Sequence, residues 1–300
     1  MKRFVDHRDW VGWSFAAPAL IVIGLFFGVP VAAGLALSLT DFDIYALADL
    51  RNLRFVGADQ YLHLLQLPLF WKALGNTAYF VAVGVPLSIG VSLGAAVLLQ
   101  SKVAVFRPLV RTALFAPVVT TLVAVAVIWR HLFHVKYGLV NQGLLALGLN
   151  PVDWLGDPAW AMPTIILFAV WKNFGANMII FMAALQAVPQ DIYEAAEIDG
   201  AGPWAQFRHI TLPSIAPTLG LVSILTTAGY FQLFAEPYVM TQGGPLQSTV
   251  SVLYLMYDEG FKWWNLGAAS AVAFVLFALI VLITRGVPAL AARWQQRGAR

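Results

Sequence analysis

Apolar residues run through this chain in long stretches without charge, separated by short polar segments. Runs free of Lys, Arg, Asp and Glu cover Trp10–Thr40, Ala73–Ser101, Thr112–Trp129, His209–Ala235 and Trp263–Thr284, and a sixth, Pro158–Gln190, is interrupted only by Lys172. A helix of about 20 residues crosses a hydrocarbon core of about 30 Å, so each run can hold one spanning helix. The pattern predicts an all-α integral membrane protein, a six-transmembrane-helix bundle forming one domain over residues 1–300. The spans are expected at about 12–38, 74–99, 109–131, 162–185, 214–236 and 264–285, with a short polar helix in the loop at 189–213 between the fourth and fifth. Lys2 and Arg3 precede the first run as in a signal peptide. That run exceeds the roughly 7–15 residues of an h-region, and it reads as a retained helix.

Composition agrees: 60% of residues are hydrophobic and 11% charged, where a soluble domain carries about a quarter charged. The chain has no cysteine, which excludes disulfides, thiol catalysis and Cys-ligated metals. With the N-terminus inside, eleven of the 18 basic residues fall on cytoplasmic segments: Lys2, Arg3, Arg8, Lys102, Arg107, Arg111, Arg208, Arg285, Arg293, Arg297 and Arg300. Arg51, Arg54, Lys72, Arg130, Lys136 and Lys262 fall outside, and Lys172 within a span. This bias puts both termini in the cytoplasm. Trp71, Trp129, Trp154, Trp160, Trp263 and Trp264 lie near the expected external span ends, where indole rings favour the interface. Pro30, Pro86, Pro117, Pro163 and Pro217 predict bends, and the small residues at Gly84, Gly90, Gly94 and 267–270 permit close helix contact.

The loop after the fourth run concentrates charge: Asp191, Glu194, Glu197 and Asp199, with Arg208 following. Even one Asp at the centre of a membrane helix costs roughly 2.5–3.5 kcal/mol on insertion scales, so this segment belongs in water beside the bilayer. Gln190–Gly200 reads as a short helix started at Pro189, with Gly200 and Gly202 letting the chain leave it at positive φ. Phe207, Ile210 and Leu212 suit a second short helix anchored on the bundle. An acidic knob with an Ala-lined face fits a socket on a partner.

The residues Glu194-Ala195-Ala196, Asp199-Gly200-Ala201, Phe207 and Ile210-Thr211-Leu212-Pro213 resemble, place by place, the EAA loop of ABC-importer permeases. Thr241-Gln242-Gly243-Gly244-Pro245 with Thr249 resembles the external loop of the MalF-like subunit of the carbohydrate-uptake type, and Tyr61, Phe70-Trp71, Asn76-Thr77 and Phe80 resemble the external segment entering the family's second span. The resemblance implies a permease in the bacterial cytoplasmic (inner) membrane that moves a sugar or related polyhydroxylated solute by alternating access. It implies partners: a second, MalG-like permease subunit, two copies of a cytoplasmic ATPase subunit and an extracytoplasmic solute-binding protein. The coupling helix that seats on the ATPase would be carried by Glu194, Ala195, Ala196, Asp199, Gly200 and Ala201. No cofactor is expected on this chain, since ATP and Mg belong to the partner ATPase; no nucleic acid is expected either.

Polar residues inside the spans supply the candidates for solute contact. An ammonium at Lys172 should face a water-filled cavity, a carboxylate or the bundle interior. Asn173 and Asn177, four apart, share a face. By position, the resemblance assigns solute binding to Trp171, Lys172, Asn173 and Asn177 of the fourth span and to Thr226, Tyr230 and Leu233 of the fifth. If Lys172 faces the site, an anionic or heavily hydroxylated solute suits it; the alternative is a lysine that snorkels or pairs locally, with Glu236 as the nearest carboxylate in prospect. Interhelical hydrogen bonding is the plainer account of the hydroxyls.

His131 and His134 have no third metal ligand nearby, and neither H-E-x-x-H nor the P-loop pattern G-x-x-x-x-G-K-[ST] occurs. No catalytic constellation stands out, so the chain is not expected to be an enzyme. The rival readings are an integral-membrane enzyme and a self-sufficient carrier. The first would need convergent acids, bases or metal ligands. The second usually shows intramembrane carboxylates, and here only Glu236, at a span end, qualifies.

Overall fold

The structure, a computed structural model, describes residues 7–100 and 106–298; Lys2, Arg3, Lys102 and Arg300 of the charge pattern lie outside them. Among the described residues the chain is helical, and its β-structure is one isolated bridge between Thr40 and Phe55. Four helices are long and apolar enough to cross a membrane, or six if each of two bent helix pairs forms one span. The chain divides into two compact units, the described parts of Met1–Leu67 with Met256–Val275, and of Pro68–Leu255 with Leu276–Arg300.

In the first unit, α1 (His7–Ile23) and α2 (Val29–Ser38) are joined by a π-helical turn at Gly24–Gly28. The backbone stays right-handed through both joins, giving one span over Gly12–Ser38. None of its most apolar stretch is buried. So continuous an apolar surface is at home against lipid rather than water. Beyond it the chain folds back on a clamp: Arg54 donates its backbone N–H and its Nε–H to the two carboxylate oxygens of Asp41, at 2.7 and 2.9 Å. The Asp41 N–H donates in turn to the Arg54 carbonyl at 3.1 Å. The Arg54 N–H, more than the guanidinium charge, holds the Asp41 carboxyl below its ordinary range. Gly267 donates to the Phe42 carbonyl at 2.9 Å, and a Cβ there would stand 2.3 Å from the Thr40 carbonyl oxygen. Only glycine permits that approach.

The second unit is built on α3 (Pro68–Gln100), which buries Phe70, Ala73, Thr77, Phe80, Gly84 and Ser88 in steps of three and four. This places them on one stripe. Small residues continue it at Ser92 and Ala96, and Ser92 Oγ donates to the Phe174 carbonyl of α6 (Pro158–Gln186) at 2.9 Å. α6 is the most buried of the candidate spans, as a central helix must be.

The run expected to span 109–131 is two helices, α4 (Arg107–Val119) and α5 (Leu122–Leu132), bent by 101°. Thr120 and Thr121 between them are extended, and the Thr120 hydroxyl donates to the Pro117 carbonyl at 2.6 Å. Two β-branched residues after a proline favour such a break. The polar loop and fifth run form a second bent pair, Pro203–Ser214 and α8 (Ala216–Tyr230), at 69° about the buried Ile215. Between α6 and that pair lies α7 (Gln190–Ile198). After α8 come α9 (Ala235–Met240), α10 (Val252–Tyr257) and α11 (Leu266–Gly298), whose span runs Leu266–Gly286.

Two sequence motifs far apart in the chain meet in this unit. The Asn76 amide donates to the carbonyls of Gln247 and Val250, both at 2.9 Å, and Lys72 to that of Leu246. The buried Thr77 hydroxyl accepts from Val252 N–H at 3.0 Å. Within the 241–249 turn, Thr249 Oγ1 donates to the Gly244 carbonyl at 2.8 Å and lies 2.7 Å from Thr241 Oγ1. Gly243 takes φ +80° there.

Candidate functional site

The polar knob is α7 with its two flanking turns. It ends in a Schellman motif, in which Ala201 N–H donates to the Ala196 carbonyl at 2.8 Å and Gly200 N–H to the Glu197 carbonyl at 3.0 Å. Gly200 sits at φ +79°, the left-handed geometry this motif requires. The Asp199-Gly200-Ala201 sequence is thus the local chemistry of a helix stop. Glu194, Ala195, Asp199 and Gly200 are exposed, while Ala196 and Ala201 are half-buried. Ile198 is 87% exposed and Trp204 71%.

The knob is braced onto the segment that follows it. Tyr193 OH lies 2.8 Å from the buried Thr211 Oγ1, and Gln206 Nε2 donates to the Ala201 carbonyl at 3.0 Å. Trp204 stacks on Phe207 with ring centroids 5.6 Å apart. The second short helix expected here runs Pro203–Ser214, with Pro203 at its first position and a π-helical turn at Phe207–Thr211.

A second feature lies in the bundle. A cavity of about 330 Å³ is lined by Asn173, Ala176 and Asn177 of α6, by Thr226, Gly229 and Tyr230 of α8, and by Gln232, Leu233 and Glu236 just beyond. Phe80 of α3 and Leu122 at the start of α5 complete an apolar wall. Five of the seven residues proposed for solute contact therefore share one cavity: Asn173, Asn177, Thr226, Tyr230 and Leu233. Asn177 Nδ2 donates to Thr226 Oγ1 at 2.9 Å and ties the two helices together. Tyr230 is buried against Phe80, ring centroids 5.0 Å apart, and its hydroxyl lies near Ser88 and Asn173. The ring fits because residue 84 is glycine: a Cβ there would stand 2.7 Å from Tyr230 Cε1.

Trp171 and Lys172 lie elsewhere. Trp171 packs in an aromatic cluster with Trp129 and Phe168, centroids 5.2 and 6.4 Å away. Lys172, 7% exposed, donates Nζ to the Val118 carbonyl at 3.1 Å. The last carbonyls of a helix lack intrahelical partners and carry the negative end of its dipole. Lys172 therefore caps the end of α4 at the 101° break, a partner that no periodicity within the fourth run reveals. α4 and α6 touch closely here, since a Cβ at Gly175 would lie 2.6 Å from the Leu114 carbonyl oxygen. Glu236, weighed from sequence as a partner for Lys172, lines the cavity and interacts with Lys172 through charge rather than through a hydrogen bond. The residue's position at a span end was the only signal for it. His131 Nδ1 lies 2.9 Å from the Val127 carbonyl and the His134 ring stacks on Tyr137 at 3.5 Å; among the described residues no group of three or more His, Cys, Asp or Glu could hold a metal.

Comparison with known proteins adds an independent line. A family model described as "Binding-protein-dependent transport system inner membrane component" matches residues 88–296. The chain is similar to the lactose transport system permease protein LacF of Rhizobium radiobacter, 36% identical over 289 residues that cover 95% of this chain and 94% of that protein. It is 34% identical to the trehalose/maltose transport system permease protein MalF of Thermococcus litoralis, over 91% of both chains. Its fold is similar to a chain of the bacterial alginate ABC transporter solved with an alginate pentasaccharide-bound periplasmic protein, with TM-score 0.80, 22% identity and 95% of each chain covered.

Proposed function

The chain belongs to the family of binding-protein-dependent transport system inner membrane components, and from this premise we propose how its geometry serves import. It is the multi-pass transmembrane permease subunit of an ABC importer of carbohydrate-uptake type. The transported solute is a sugar or a related polyhydroxylated compound. Asn173, Asn177, Thr226, Tyr230 and Leu233 contact it in the cavity, where amides and hydroxyls meet its hydroxyl groups and the rings of Tyr230 and Phe80 meet its apolar faces. Trp171 and Lys172 support that wall from behind.

One observation carries the mechanism. α7 follows α6 directly and leads through Pro203–Ser214 into α8, so the exposed knob sits between the two helices whose far parts line the cavity. A displacement of the knob is transmitted to both cavity walls through continuous backbone and through the Tyr193–Thr211 contact. ATP binding on the partner subunits draws the knob inward together with its counterpart on the second permease, the cavity opens outward to receive solute from the binding protein, and hydrolysis returns it. The ATPase chemistry, with its ATP and Mg, belongs to the partner. Both termini lie in the cytoplasm, on the same side as the knob.

Purification of the tagged chain from native membranes in mild detergent tests this reading. Recovery of an ATPase subunit and a second permease, with the ATPase lost from a Gly200→Trp variant, is the expected result. Recovery of the chain alone, in several detergents and with an ATP analogue present, would assign it to stand-alone transport instead.

A further inference from the structure

The cavity's lining has a one-sided chemistry that bears on what it admits. Among the described residues Glu236 is the only charged one in the lining. Lys172 does not line the cavity: its Nζ donates to the Val118 carbonyl, and from there its charge acts on Glu236. The three lining amides each donate an N–H to the protein: Asn173 to the Ala169 carbonyl at 2.9 Å, Asn177 to Thr226 Oγ1 at 2.9 Å and Gln232 to the Ala228 carbonyl at 3.0 Å. Each amide keeps its carbonyl and one N–H for a solute, and the Glu236 carboxylate, which also accepts from the backbone N–H groups of Phe234 and Glu236, adds its remaining acceptor capacity and its charge. The Tyr230 hydroxyl, near Ser88 and Asn173, can donate or accept.

We propose that Glu236 makes this cavity select solutes that present hydrogen-bond donors, neutral polyhydroxylated or amino sugars, and exclude sugars carrying carboxylate, sulfonate or phosphate. The proposal rests on the permease reading above and deepens it; of the anionic or heavily hydroxylated solute expected if Lys172 faced the site, it keeps the hydroxylated one and drops the anionic one. A neutral sugar offers paired hydroxyl donors that a carboxylate accepts in bidentate fashion. An anionic sugar would bring its charge against Glu236 in a site of reduced dielectric, where repulsion is stronger than in water. The fold itself does not set this preference, which lies with the one carboxylate and the orientation of the amides.

The chain has no native cysteine, so a single introduced thiol reports the local potential without a solute having to be known. Ala176 lines the same cavity and is small. In membranes holding the complete importer, the Ala176→Cys thiol is labelled with a positively and a negatively charged methanethiosulfonate reagent, and the ratio of rates is divided by the same ratio for a free thiol in solution. The expected result is a preference for the cationic reagent of about tenfold, largely lost in Glu236→Gln and kept in Glu236→Asp. A ratio near one, or a preference unchanged by Glu236→Gln, overturns the charge selection while leaving the permease reading intact. Labelling by neither reagent, in any nucleotide state, means that water does not reach the cavity and overturns both.

Discussion

Gly200 owes its identity to backbone geometry and its importance to a surface. At φ +79° it completes the helix stop of α7, and an added Cβ would meet nothing within 4 Å. Gly200→Ala should therefore cost about 1 kcal/mol of local stability, the penalty of the left-handed region, and leave the ATPase subunit bound. Gly200→Trp carries the same backbone penalty, so any further loss of the ATPase on co-purification reads the partner's surface directly. Equal loss in both variants would mean that the helix stop, not the docking face, is what matters. Asp41 behaves differently, because its carboxylate accepts from Arg54 backbone N–H and guanidinium. Its pKa is held below the ordinary 3.8, so its contribution to the 41–54 clamp is complete above 3.8 and lost as pH falls through the lowered value. Amide exchange of Asp41 and Arg54 should accelerate, beyond the intrinsic trend, only in that acidic window. Asp41→Asn should show the fast behaviour at neutral pH.

The broken pair α4 and α5 is the element whose shape departs most from its sequence signature. Lys172 satisfies the Val118 carbonyl at the break, and removing it as Lys172→Met leaves a buried acceptor unpaired, at a cost of about 1–3 kcal/mol. Gly175→Ala presses a methyl group against the α4 backbone, 2.6 Å from the Leu114 oxygen, and should destabilise by a comparable 1–3 kcal/mol or so. Thermal unfolding in detergent checks both. Lys172→Met should lower Tm without altering which solutes are carried, since Lys172 does not line the cavity. A changed solute range with unchanged Tm would instead return Lys172 to the solute site.

For the whole molecule, the expectation is mechanical coupling between the knob and the cavity. In the complete importer, trapping the ATPase with nucleotide should change the labelling rate of Ala176→Cys by an external reagent several-fold. Gly200→Trp should abolish the change while leaving the resting rate alone. An unaltered rate on trapping would separate the cavity from the transport cycle. The break and the cavity share a dependence on partners outside their own segment: Lys172 reaches Val118 and Asn177 reaches Thr226, 54 and 49 residues away in the chain.

Local physics made much of this protein readable in its sequence. Charge-free runs of spanning length fix an all-helical membrane chain, because every residue contributes its own transfer free energy and the sum survives any rearrangement. The knob at 189–201 was equally legible, since its charge demands water and its helix stop is written within six residues, Ala196 to Ala201. Tertiary structure alone decided the rest. Hydropathy carries no information on the direction of an apolar segment: Pro117 predicted a bend in Thr112–Trp129, but not that the chain turns there by 101°. It is also blind to rotation about a helix axis: Lys172 and Asn173 are neighbours, yet one caps α4 and the other lines the cavity. Glu236 stood at a span end with nothing nearby in sequence to explain it. Only the packing of α6 against α8 placed that carboxylate in the lining of a cavity.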